Sequence, residues 1–166
     1  RFYLKLIFLL LILFNFAQAS DKIVFIDIDY ILSNSNKGKH LINLLEKKNN
    51  ENILKLTEKE KILKNKEKDI ETKKNILSQE KINQEIDELK KQILNFRKEK
   101  DLIVEEFNSY KINQISQLMK EINPIITEYV KQNSIQMLID KKNILIGKKE
   151  YDITNVILDL INKKLK

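Results

Sequence analysis

KINQEIDELKKQILNFRKEKDLIVEEFNSY, residues 81–110, sets Ile82, Ile86, Leu89, Ile93, Phe96, Lys100, Ile103, Phe107 and Tyr110 at alternating intervals of four and three. That alternation is the apolar seam of one helix packed along another, and only Lys100 interrupts it. The seam lies within Lys39 to Asn123, about 85 residues with neither Gly nor Pro, and a stretch so free of breakers predicts helix. Its first half is sparser. Leu56, Leu63, Ile70 and Leu77 recur every seven residues, with Lys, Glu and Asn filling many positions between them. A rich seam and a thin one predict two antiparallel arms that reverse near Leu77 to Ile82. Each arm has about 40 residues and reaches roughly 60 Å. A single unbroken helix would hold the two ends of the chain roughly 125 Å apart and leave their strands without partners, so the hairpin is preferred.

The ends read differently. Ile23-Val24-Phe25-Ile26-Asp27-Ile28 is apolar and β-branched, like a strand buried on both faces. Gln136–Asp140 and Ile144–Gly147 form a second β-like pair, and the short polar link Lys141-Lys142-Asn143 predicts a hairpin between them. Thr154 is placed to cap a last helix, Asn155 to Lys164, with Val156, Ile157, Leu160 and Ile161 on one stripe. Gly38 suits a turn between the first strand and the long helix. Pro124 predicts a break that sets Ile125 to Gln132 apart as a short helix. The end segments total about 55 residues, near the lower limit for an independent core, and their few strands leave open edges. Self-association through Ile23, Phe25, Ile26, Leu138, Ile139, Ile144, Ile146 and Leu160 would complete them. The fold class expected is α+β, mostly α: a long antiparallel coiled-coil hairpin on a small β-rich oligomerisation body.

Arg1 to Lys5 is a short positive start, Leu6 to Phe14 is apolar, and Ala17-Gln18-Ala19 places small residues at a cut. This is the plan of a cleaved secretory signal, residues 1–19, with the mature chain starting at Ser20 in the periplasm. A membrane-spanning helix needs roughly 20 apolar residues, more than this run holds. The domains expected are therefore the signal at 1–19, a discontinuous body of 20–38 and 124–166, and the arm at 39–123.

The formal charge is +7, and it falls to +5 once Arg1 and Lys5 are removed with the signal. Residues 37–78 carry 12 Lys and 7 acids, whereas 79–131 carry 9 bases and 10 acids. The first arm is thus mildly basic and the second nearly neutral. Such surfaces arise in ordinary solvated coiled coils, and they also attract acidic polymers or membrane surfaces.

Catalytic chemistry finds little support. The chain has no Cys, and His40 is its only His, which excludes a zinc site of the usual N/S kind and a triad base with an identifiable nucleophile. Gly38-Lys39 lacks the Gly five positions earlier and the Ser or Thr next in line that a phosphate loop needs, since Ser33 and His40 stand there. Asp27, Asp29 and Asp140 are read as strand-end caps and turns rather than metal ligands. No enzyme activity and no cofactor is expected.

The segment Ile23 to Leu32, followed by Ser35, Gly38, Lys39 and Leu45-Glu46, resembles the start of the Skp/OmpH family of periplasmic chaperones. Leu138-Ile139-Asp140-Lys141, Asn143-Ile144-Leu145, Tyr151-Asp152-Ile153-Thr154 and Val156-Ile157 resemble its end, and the middle is similar in type as a charged coiled coil. The resemblance implies a jellyfish-like homotrimer whose helical tentacles enclose a cavity. Unfolded outer-membrane proteins would be held there without ATP until insertion, with transient contact at the membrane surface. The family's tentacles are often strongly basic; these are only modestly so, and no lipopolysaccharide motif is assigned. Apolar residues outside the seam, Ile53, Leu54, Ile62, Ile76 and Leu94, are the client-binding candidates, with packing between the arms as the equal alternative. Two other functions stay open. A structural coiled coil linking envelope layers would protect no client. A basic nucleic-acid binder is disfavoured by the export signal and by the lack of Arg and aromatic clusters.

Overall fold

The computed structural model describes residues 22–165, so the signal segment and its cut after Ala19 lie outside the described residues. Strand β1 (Lys22–Ile26) comes first and ends before the apolar run does. Ile28 does not continue it. Asp27 Oδ1 accepts the Tyr30 N–H at 2.8 Å and opens a short helix, α1 (Ile28–Asn34). Capping an open helix donor outweighs the β preference of Ile28 and Ile31 here.

Ser35 then caps the long helix α2 (Asn36–Lys73), its Oγ accepting the Gly38 N–H at 3.1 Å. Gly38 is therefore inside the first turn of α2 rather than in a loop, and its φ is not positive. What it supplies is room, because a Cβ there would lie 1.6 Å from the Leu32 carbonyl oxygen. Residues 74–78 reverse the chain, with the Ile76 and Leu77 N–H groups both bonded to the Lys73 carbonyl.

The return helix α3 (Gln79–Gln132) lies along α2 and runs on through Pro124. The break expected at Pro124 does not occur. Leu118, Ile122, Ile125 and Ile126 are all buried on the core side of this segment, and that packing holds the helix together. Both Pro124 and Lys120, whose carbonyl loses its partner, are exposed, so water can reach the orphaned group.

Ser134, at φ 52°, turns the chain out of α3 into β2 (Ile135–Asp140). β2 pairs with β1 in parallel: Ile23 lies opposite Met137, Val24 opposite Leu138 and Ile26 opposite Asp140, with a slip after Lys22. The expected hairpin between 136–140 and 144–147 is absent. Asp140 Oδ1 accepts the Lys142 N–H and starts a 3-10 turn at Lys141–Asn143, after which Ile144–Gly147 is not a strand. Parallel strands need a long crossover, and the whole helical excursion between β1 and β2 provides it.

A second 3-10 turn, Lys149–Tyr151, leads to the last helix, α4 (Thr154–Lys164). Thr154 is its first residue rather than its cap. The core gathers Val24, Ile26, Ile31, Leu118, Ile122, Ile125, Ile126, Ile135, Ile153, Ile157 and Ile161 from every element of the body. Burying such side chains stabilises the body by about 1.5–3 kcal/mol each before entropy is counted.

Candidate functional site

Two regions carry the polar and apolar groups not consumed by the core. The first is a clasp in the body. The Thr154 hydroxyl accepts the Asp27 N–H at 2.9 Å and donates to Asp152 Oδ1 at 2.5 Å, while Asp152 Oδ1 also accepts the Thr154 N–H at 3.0 Å. Lys141 Nζ stands 3.6 Å from both the Asp27 and the Asp152 carboxylates. Partial burial pushes the Asp152 pKa up, but the two bonds from Thr154 and the Lys141 charge hold it below the usual carboxylate value. The clasp ties the ends of β1 and β2 to the start of α4. It is structural, and among the described residues no group of three or more His, Cys, Asp or Glu converges to hold a metal. Asp27 and Asp140 act as caps, and His40 is exposed.

The second region is the pair of arms. Leu56, Leu63, Ile70 and Leu77 of α2 are half-buried, as are Ile86, Leu89, Ile93 and Phe96 of α3, and Ile82 is fully buried near the tip. The two flanks of this seam differ. On one flank Glu99 receives Lys55 at 3.0 Å and Lys59 at 2.5 Å, and Lys66 reaches Gln92 at 2.8 Å. Lys59, Lys66 and Lys73 are seven apart on α2, and Glu99, Gln92 and Glu85 are seven apart on α3, so facing polar groups recur every second turn, bonded across the arms at Lys59 and Lys66 while Lys73 bonds Asp69 on its own helix. Bonding to Lys59, and then to Lys55, holds the Glu99 carboxyl below its ordinary value. The Lys73 pKa is raised by its bond to Asp69, with Glu85 adding to the effect. The other flank has no cross-arm polar bond among the described residues. Two open grooves of 450 and 830 Å³ adjoin there, sharing Lys64 and Glu67 and floored by α3 side chains that include Ile86 and Ile93.

The residues picked out from sequence fall into two groups. Of those assigned to the body, Phe25 and Ile26 are buried within the chain's own fold, Leu138, Ile139, Ile144 and Leu160 are half-buried, and Ile23 and Ile146 are exposed. Gly147 passes so close to Phe25 that a Cβ would sit 2.8 Å from its ring. All five client-binding candidates are exposed: Ile53, Leu54, Ile62, Ile76 and Leu94. They do not form one patch, for Ile53 borders the open flank and Ile62 the laced one. Sequence reading missed Leu145, 98% exposed beside Ile146 at 90%, because it placed both in a paired strand. It also passed over Leu102, Val104 and Ile112, which lie off the seam and are exposed, so the off-seam criterion would have found them.

The sequence profile of a family described as outer membrane protein (OmpH-like) matches residues 22–161. A crystal structure from Caulobacter crescentus CB15, described as an OmpH-like outer membrane chaperone, is similar with a TM-score of 0.79 and 18% sequence identity, over 90% of this chain and 89% of that one. No curated protein sequence gives a significant match.

Proposed function

The chain belongs to the OmpH-like family of outer membrane proteins, and from that premise we propose that it is an ATP-independent periplasmic chaperone. As a homotrimer it would hold unfolded outer-membrane proteins between its arms and keep them from aggregating before insertion. The proposed divisions are a signal at 1–19, cut after Ala19, a body of 20–38 with 124–166, and an arm of 39–123. The proposed chemistry needs no cofactor and no bond-making step. Binding non-native chains lowers the concentration of free aggregating species by mass action.

The observation that carries this reading is where the apolar side chains lie. The arms keep Ile53, Leu54, Ile62, Ile76 and Leu94 in solvent along two helices and the turn between them, far from any core, whereas the body gathers most of its apolar side chains into a core and leaves Leu145 and Ile146 outside it. A wide surface of this kind favours many weak contacts over one pocket. Long Lys stems between these residues can cover apolar patches while their charges stay in water. The assembly proposed for the body uses Ile23, Ile146 and the partly covered Leu138, Ile139, Ile144 and Leu160 around buried Phe25 and Ile26.

The test is whether the purified protein, without ATP, suppresses aggregation of a urea-unfolded β-barrel membrane protein diluted into buffer. A variant lacking Lys66 to Asn95 removes the tip of the arm, from the last two turns of α2 through the reversal into α3, and keeps the body. It should remain oligomeric and lose most of the suppression. Full suppression by that variant would move client binding to the body, and no suppression by the intact protein would favour a structural envelope role.

A further inference from the structure

Resting on the chaperone reading, we propose that the open flank of each arm is a receptor groove for one extended, alternately apolar and polar client segment, of the kind that crosses a membrane as a barrel strand. Three observations on the arm lead there.

The first is asymmetry. Among the described residues the cross-arm bonds from Lys55, Lys59 and Lys66 all lie on one flank, where the grooves beside Lys59 and Lys66 are smaller, 300 and 250 Å³, and no such bond crosses the other flank. On that open flank the two larger grooves adjoin, so they form one continuous trough along the seam.

The second is length. The trough follows α2 from Ile53 to Lys74, about 31 Å at the helical rise. Extended chain covers that distance in about 9 residues, within the roughly 9–11 residues of a membrane-crossing strand. Such strands alternate apolar and polar side chains. One face would therefore lie on Leu63, Ile86, Ile93 and Phe96 while the other stays in water. A contiguous apolar helix would need a wider floor, and a polar linker would gain nothing from this one.

The third is charge. Among the described residues Arg97 and Lys100 on the α3 rim make no ion pair, and on the α2 side Lys61, Lys68 and Lys74 are equally unpaired beside the unpaired Glu67 and Glu71, so the trough keeps an excess of cations. Lys64 is engaged with Glu60 at 3.0 Å. The spare cations favour strands whose polar face carries Asp or Glu, with attraction that weakens in salt.

The experiment places a photo-crosslinking benzoylphenylalanine at position 64, on the open flank, or at position 62, on the laced flank, in the full protein. The probes are two synthetic ten-residue peptides of one composition, Val, Leu, Thr and Asp. One alternates apolar and polar residues and the other groups the apolar residues in a block. The alternating peptide should label position 64 at least fivefold more than position 62, and at least fivefold more than the block peptide does. Arg97→Glu with Lys100→Glu should weaken its binding at least fivefold at unchanged helicity. Equal labelling of both flanks, or equal labelling by both peptides, would overturn the groove. So would crosslinks from position 64 to another copy of the chain, or displacement of the peptide by phosphatidylglycerol vesicles. The aggregation assay is run on the same samples. Suppression without flank-specific labelling sinks the groove and spares the chaperone reading, whereas loss of suppression in the unmodified protein sinks that reading itself.

Discussion

A methyl group added at Gly38 would meet the Leu32 carbonyl oxygen at 1.6 Å, the carbonyl carbon at 2.7 Å and Ser35 Oγ at 2.8 Å. Two of these are backbone atoms of α1, which cannot swing aside as a side chain could. Helix propensity favours Ala over Gly by about 1 kcal/mol, so Gly38→Ala would stabilise an ordinary helix. The forced separation of α1 from α2 reverses the sign, and a net loss of about 2 kcal/mol is expected, in line with overpacking elsewhere. Urea unfolding followed by circular dichroism measures it, and a variant as stable as the parent would show that the close approach is not maintained. Asp152 gives a second prediction at this scale. Its pKa is depressed in the folded protein, so its contribution to stability is present above the ordinary carboxylate value and is lost as pH falls through the lower folded value. Stability should therefore decline below about pH 4, and Asp152→Asn should flatten that part of the profile while lowering stability at neutral pH. An unchanged slope in the variant would remove Asp152 from the account.

Among the elements, the long helices were legible because their signals are local and repeated. The absence of Gly and Pro over 39–123 and the four-three spacing from Ile82 to Tyr110 need no knowledge of partners. The end segments were harder. Ile23 to Leu32 is apolar throughout, and an apolar run fits a buried strand and a buried helix equally well; only the cap at Asp27 separates them. Ile135–Asp140 was readable as a strand, yet its partner is β1, more than a hundred residues earlier, and no local pattern announces such a pairing. The nearer segment Ile144–Gly147 offered a false partner. The arm's two flanks were likewise invisible until Lys59 and Lys66 were set beside Glu99 and Gln92. Pro124 is the clearest case of tertiary packing overriding a local rule, and it can be measured. The helix loses one bond there and retains its course because Ile122, Ile125 and Ile126 are buried. Since Pro124 itself is exposed, Pro124→Ala leaves no cavity and lets residue 124 donate to the Lys120 carbonyl. A gain of about 2 kcal/mol is expected from the roughly 3 kcal/mol that an interior Pro costs a helix. A loss of stability would mean that the Pro ring is itself packed.

At the scale of the whole molecule, the sheet has only two strands. β1 is flanked by β2 on one side and by the isolated bridge from Phe25 to Asp152 on the other, so the open edge belongs to β2. Leu145 and Ile146, which follow β2 in the chain, are almost entirely in solvent, and Met137 and Ile23 are about half exposed on the strands. An open edge and exposed apolar side chains are surfaces that a soluble protein covers or pairs. In the proposed assembly another copy covers them, and burying two such side chains contributes about 1.5–3 kcal/mol each per contact. Leu145→Ser combined with Ile146→Asp should therefore weaken assembly at least a hundredfold. The fold of each chain should survive, since neither side chain takes part in the core. Sedimentation equilibrium at micromolar concentration should then give the single-chain mass with an unchanged far-ultraviolet spectrum, whereas the parent is expected to give about three times that mass. The dissociated variant keeps every arm residue but cannot enclose a client, so suppression of aggregation should fall with assembly. An intact oligomer in this variant would move the contact to Ile23 and Met137 or to the arms. Undiminished suppression by a monomer would mean that one arm suffices, and the cavity would no longer be needed to explain how the chain protects its client.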